Sequence, residues 1–79
     1  MNTKMKTTEF RIRPYSKREL AELYFPDTRQ SATAVANLRN LMHRNRQLMQ
    51  ELQETGYRLH DKVFTPRQVR IITYYLGEP

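Results

Sequence analysis

The amino-acid sequence predicts a small, mostly α domain, and three observations carry that prediction. Two capping boxes, Ser16 to Glu19 and Thr65 to Gln68, each stand ahead of an apolar run, the signature of a helix N-terminus. Between them Val35, Leu38, Leu41 and Met42 recur at i, i+3, i+6 and i+7, the spacing of one helix face. Connections rich in Pro, Asp, Ser and Gly then separate the periodic segments. A chain of 79 residues makes one thin core, since it buries only roughly 60% of the surface its unfolded form exposes.

Residues 1–8 have no periodicity and read as a flexible basic arm; residues 9–79 read as the single domain. In EFRIR, Phe10 and Ile12 alternate with charged neighbours, which predicts a short half-buried strand ended by Pro14. The first helix follows at about 17–24, carrying Leu20, Leu23 and Tyr24, and Phe25-Pro26 stops it because a residue before proline is pushed out of the helical region. FPDTRQS is a turn that offers Asp27 and Ser31 as caps.

The longest helical pattern spans 31–45. Its polar residues Thr33, Asn37, Asn40 and Arg44, spaced by 4, 3 and 4, share a face about a third of a turn from the apolar stripe. Leu48 and Leu52 continue a helical pattern that Gly56 stops, and no residue at 45–47 decides between a bend and a continuous helix. YRLHDKVF places Tyr57, Leu59, Val63 and Phe64 around a His60-Asp61 tip, as a small hairpin or an irregular loop. The last helix has Pro66 at its first position and Val69, Ile72 and Leu76 on one face, with Ile71 and Tyr75 beside them. Tyr74 lies off that face and is expected to be exposed.

A short braced helix, a turn and a longer two-faced helix form the arrangement of a helix-turn-helix; the short N-terminal strand and the hairpin before the last helix make it winged-helix-like. The turn from Phe25 to Gln30 is longer than the usual three or four residues. The helix at 31–45 is then the one to enter a major groove. Asn pairs with adenine, Arg with guanine and Thr with a thymine methyl, so Thr33, Asn37, Asn40 and Arg44 are the base-edge candidates. Lys4, Lys6, Arg11, Arg13, Lys17 and Arg18, with Arg29, Gln30 and Ser31 at the helix start, are the phosphate candidates.

The charge agrees with that expectation. The net +6 and pI ≈ 10.1 favour a polyanionic partner. The excess is concentrated in residues 1–18, where six cations face only Glu9, and in 31–46, where Arg39, Arg44 and Arg46 face no carboxylate. Solvated charge on a soluble protein gives the same composition, so a protein-interaction or homodimerisation module is the alternative, with Tyr74, Tyr75 and Ile71 as its apolar contact.

Other classes find little support. There is no cysteine, the two histidines are far apart, and no Gly-rich phosphate loop or nucleophile motif is present, so no enzyme, metal, cofactor or small-molecule substrate is expected. No run of about 18 apolar residues spans a membrane and the N-terminus lacks a signal-peptide core; a soluble cytoplasmic protein is expected.

FRIRPYSKRELAELYFPD, GYRLHDKVFTPRQVRII and the terminal YYLGEP together resemble a family of small proteins from anaerobic gut bacteria known as a domain of unknown function. The resemblance covers residues 10–79 and rests on Y-x-K-x-E-L-A, T-P-x-Q-V and L-G-E-P; it implies no particular activity. The opening Tyr15 to Ala21 is in turn similar to the first helix of excisionase and MerR-type winged helices, an analogy of fold that implies DNA binding.

Overall fold

A computed structural model describes residues 10–79. The predicted arm, with Lys4 and Lys6, and Glu9 of the predicted strand lie outside the described residues. The chain is mostly helical, as its sequence predicts: α1 Lys17–Tyr24, α2 Ser31–His43, α3 Arg46–Glu54 and α4 Pro66–Leu76, with a two-stranded antiparallel sheet of β1 Tyr15–Ser16 and β2 Val63–Phe64.

Both capping boxes form. The Ser16 and Glu19 side chains each accept the other's backbone N–H at 3.0 Å, and Thr65 and Gln68 do the same at 3.2 and 2.9 Å. Orphan donors at both helix starts are thereby satisfied. α1 ends at Phe25, whose N–H reaches the Ala21 carbonyl at 2.8 Å before Pro26 forbids a further turn.

The strand sits later than the EFRIR alternation predicts. Residues 10–14 fold back on Tyr15 instead: Phe10 stacks on its ring with centroids 5.3 Å apart, the Arg13 guanidinium lies 3.8 Å from the ring centroid, and the Tyr15 hydroxyl donates to the Arg11 carbonyl at 2.9 Å. Pairing begins only after Pro14, whose missing N–H would break the ladder. Tyr15 lies opposite Phe64 and Ser16 opposite Val63. The hairpin expected within 57–64 therefore exists only as its second arm, because Val63–Phe64 pairs with Tyr15–Ser16 rather than with Tyr57–Leu59. Residues 57–62 take the irregular-loop alternative, closed by Asp61 N–H to the Arg58 carbonyl at 3.0 Å and by Arg58 N–H to Asp61 Oδ2 at 3.0 Å.

The predicted 31–45 helix is shorter at its end and capped differently at its start. Gln30 occupies the cap position without a side-chain hydrogen bond; Ser31 is the first helical residue, and its hydroxyl donates to the Glu22 carboxylate of α1. Neither Asp27 nor Ser31 is the cap. At the other end, Asn45 is extended (φ −104°, ψ 99°) and its Oδ1 accepts the Leu48 N–H at 3.0 Å, so it starts α3 and breaks the helix after His43. Gly56, at φ 87°, supplies the left-handed residue after α3.

The core gathers Leu20 and Ala21 from α1, Ala34, Leu38 and Met42 from α2, Leu48 and Leu52 from α3, and Val69 and Ile72 from α4, with Tyr15 and Phe64 closing one end. On α2 the buried ridge is Ala34, Leu38 and Met42, with Val35 and Leu41 half-buried on its flanks. Leu23 of the predicted α1 stripe is exposed. Among the described residues one polar side chain is buried: Gln68 Nε2 donates to Thr55 Oγ1 at 2.9 Å, and Thr55 Oγ1 donates to the Leu52 carbonyl at 2.6 Å, which ties α4 to the end of α3.

Candidate nucleic-acid interface

α2 has its ridge against the core and α1 packed along it, which leaves its opposite side in solvent. Residues 28–50, which contain α2 and its flanks, include no Asp or Glu and four arginines, Arg29, Arg39, Arg44 and Arg46, all exposed. The segment carries positive charge with no carboxylate of its own, and Glu22 of α1 meets it at Ser31, in the first turn of α2.

The sequence-predicted base-edge residues map onto one side of that surface. Thr33, Asn40 and Arg44 are exposed and Asn37 is half-buried at its margin. Counting about 100° per residue, Arg39 and Arg44 stand about 140° apart around the axis, at opposite rims of the solvent-facing side. Asn40 and His43 lie between them. Sequence reasoning missed Arg39 and His43, because it followed one polar row rather than the full arc opposite Ala34, Leu38 and Met42.

The phosphate candidates divide into engaged and open groups. Arg13 is held by Tyr15, by the Pro14 carbonyl at 2.6 Å and by Glu19 at 3.7 Å. Lys17 is also engaged: its Nζ donates to the Leu59 carbonyl at 2.8 Å, lies 4.8 Å from the Tyr57 ring centroid, and its backbone N–H meets the Lys62 carbonyl at 2.9 Å. Arg11, Arg18, Arg29 and Gln30 are exposed, whereas Ser31 is spent on Glu22.

Lys17 thereby straps the 57–62 loop against the start of α1 and beside α2. The three elements bound an open groove of ≈ 510 Å³ lined by Arg18, Arg39, Lys62 and His60, with Val35 and Leu59 supplying apolar wall. Arg39 and Lys62 come together here from positions far apart in sequence. On the other rim of α2, Arg44, Arg46 and Gln47 border a second open groove floored by Leu41 and Leu76.

Three groups have their titration shifted by their surroundings. The Glu19 carboxyl is held below its usual range, first by the Ser16 backbone N–H and then by Arg13, against the opposing effect of burial. The Tyr24 phenol, partly desolvated and near Glu78, is pushed up to about 12. The Tyr75 phenol is pushed up to about 12 chiefly by its hydrogen bond to the Glu51 carboxylate. All three serve the fold: Tyr24 donates to the Gly77 carbonyl and Tyr75 joins α4 to α3.

Among the described residues, no group of three or more His, Cys, Asp or Glu is placed to hold a metal ion, and no helix is long and apolar enough to cross a membrane.

The described residues thus form a small domain of four helices and one short strand pair, with an arginine-bearing helix open to solvent. Residues 11–79 match the family described as a domain of unknown function, DUF4248, and the chain belongs to that family. Neither a curated protein nor a solved structure matches it.

Proposed function

We propose that the protein binds double-stranded DNA with α2 in the major groove, as a small transcriptional regulator or an excisionase-like accessory factor. The observation that carries this reading is the acid-free, arginine-bearing surface of residues 28–50 around a solvent-facing helix. Dimensions agree: an α-helix with its side chains is about 10–12 Å across and the major groove is about 12 Å wide. Thr33, Asn40 and Arg44 then face base edges, Asn37 stands at the margin, and Arg39, on the opposite rim from Arg44, leans toward a backbone.

Fluorescence anisotropy of a labelled random duplex across a salt series tests the reading. Binding whose log-log salt slope approaches −0.9 per phosphate contacted is the expected result. Absence of binding at about 50 mM salt, where a +6 protein has its best chance, removes it.

One observation favours a second reading, a protein-interaction module. Tyr74 is 80% exposed and meets half-buried Tyr75 edge-on at 5.0 Å, an aromatic ring presented to solvent beside half-buried Ile71. Light scattering that shows a tight dimer, converted to monomer by Tyr74→Ala, would support it; a monomer at high concentration would remove the homodimer form.

A further inference from the structure

We propose that the groove between the start of α1, the Arg39 flank of α2 and the 57–62 loop holds the phosphodiester backbone of one DNA strand, with Arg18, Arg39 and Lys62 as the phosphate-contacting cations. The proposal rests on the DNA-binding reading and assigns it a second, sequence-independent contact surface away from the Thr33, Asn40 and Arg44 side of α2.

Three features of the groove point to a phosphate chain. First, its cations are available: among the described residues Arg18, Arg39 and Lys62 have no carboxylate within ion-pair distance, unlike Arg13, which has Glu19. Among the described residues Asp61 is the one acidic side chain lining the groove, and its Oδ2 already accepts the Arg58 N–H that closes the turn. Second, the loop that carries Lys62 is fixed in place before any ligand arrives. The β1–β2 pairing holds Val63, Lys17 holds Leu59 and Lys62, and the Arg58–Asp61 turn closes the tip. A preformed site spares the ordering cost that a mobile loop would add to binding.

Third, the shape suits a polymer rather than a single anion. The groove is open and ≈ 510 Å³, and its cations come from three elements instead of converging on one enclosed pocket. Leu59, exposed at 56%, and half-buried Val35 offer apolar wall for sugar edges between phosphates. Arg39 joins the two surfaces, because it lies on the rim of the face that enters the major groove and also lines this groove. A backbone bordering the major groove would therefore pass directly into it.

The test compares wild type with Arg39→Gln/Lys62→Gln on the same random duplex across salt, far-UV circular dichroism confirming that both remain folded. These side chains are exposed and make no described hydrogen bond that the fold depends on. Loss of two phosphate contacts flattens the log-log slope by about 1.8, so the variant loses about 12-fold less affinity than wild type between 50 and 200 mM salt. A variant slope equal to that of wild type, with wild type binding DNA, overturns the groove and leaves the DNA reading standing. A wild type that does not bind duplex overturns both. Titration with inorganic phosphate is the remaining arm: saturation at Arg18, Arg39 and Lys62 without affinity for duplex makes the groove a free-anion site and overturns the phosphodiester assignment.

Discussion

The Lys17 ammonium makes one hydrogen bond to the Leu59 carbonyl and cation–π contacts with Tyr57 and Phe64, and with them it holds a six-residue loop against α1. Lys17→Ala deletes them and is expected to cost about 1–2 kcal/mol. A lower urea midpoint with an unchanged m-value would show it. Tyr75 has a pH signature. A phenol whose pKa rises on folding contributes fully below its ordinary value near 10 and loses that contribution as pH climbs through about 12. Tyr24 behaves alike, so stability should fall between about pH 10 and 12, and Tyr75→Phe should lessen the fall. Urea melts on either side of that window check this, and an equal fall in the variant would contradict it. On α2, Asn40→Ala and Arg44→Ala should each cost about 1–3 kcal/mol on a selected duplex and less on random sequence. Equal losses on both duplexes would contradict base readout by those side chains.

The element scale is where local chemistry decides most. α1 and α4 were legible in sequence because each start is written twice, as a Ser or Thr and as a Glu or Gln three residues on, and proline or glycine follows each end. The α2–α3 break was not legible. Asn45 sits in an Arg-Asn-Arg stretch where asparagine serves equally well on a helix surface or as a cap, and only the Leu48 N–H, brought to it by packing of α3, selects the cap. Asn45→Ala should therefore cost about 0.5–2 kcal/mol in thermal or urea unfolding. Gly56→Ala is expected to cost about 1–2 kcal/mol as well. A Cβ there meets nothing within 4 Å, so the cost is that of the left-handed backbone at φ 87° rather than of a clash.

At the scale of the whole molecule, the strand pair and the basic groove were hidden for the same reason. β1 and β2 are two residues each and join Tyr15–Ser16 to Val63–Phe64, too short for alternation to register and too distant for a turn to announce. Arg39 and Lys62 meet only because that pairing and Lys17 bring the 57–62 loop beside α2. The polar face of α2 was legible, since helical periodicity alone places Thr33, Asn40 and Arg44 together. What periodicity lacked was the outline of the solvent-facing side, which depends on where α1 covers the helix. The central claim is that this side, from Arg39 around to Arg44, meets duplex DNA. Amide chemical-shift mapping by ¹H–¹⁵N NMR during titration with a random duplex tests it most directly. Shifts concentrated on residues 28–46, with a second group at Arg18 and the 57–62 loop, are the predicted result. Shifts confined to the Tyr74 side of α4, or none at all, would contradict it.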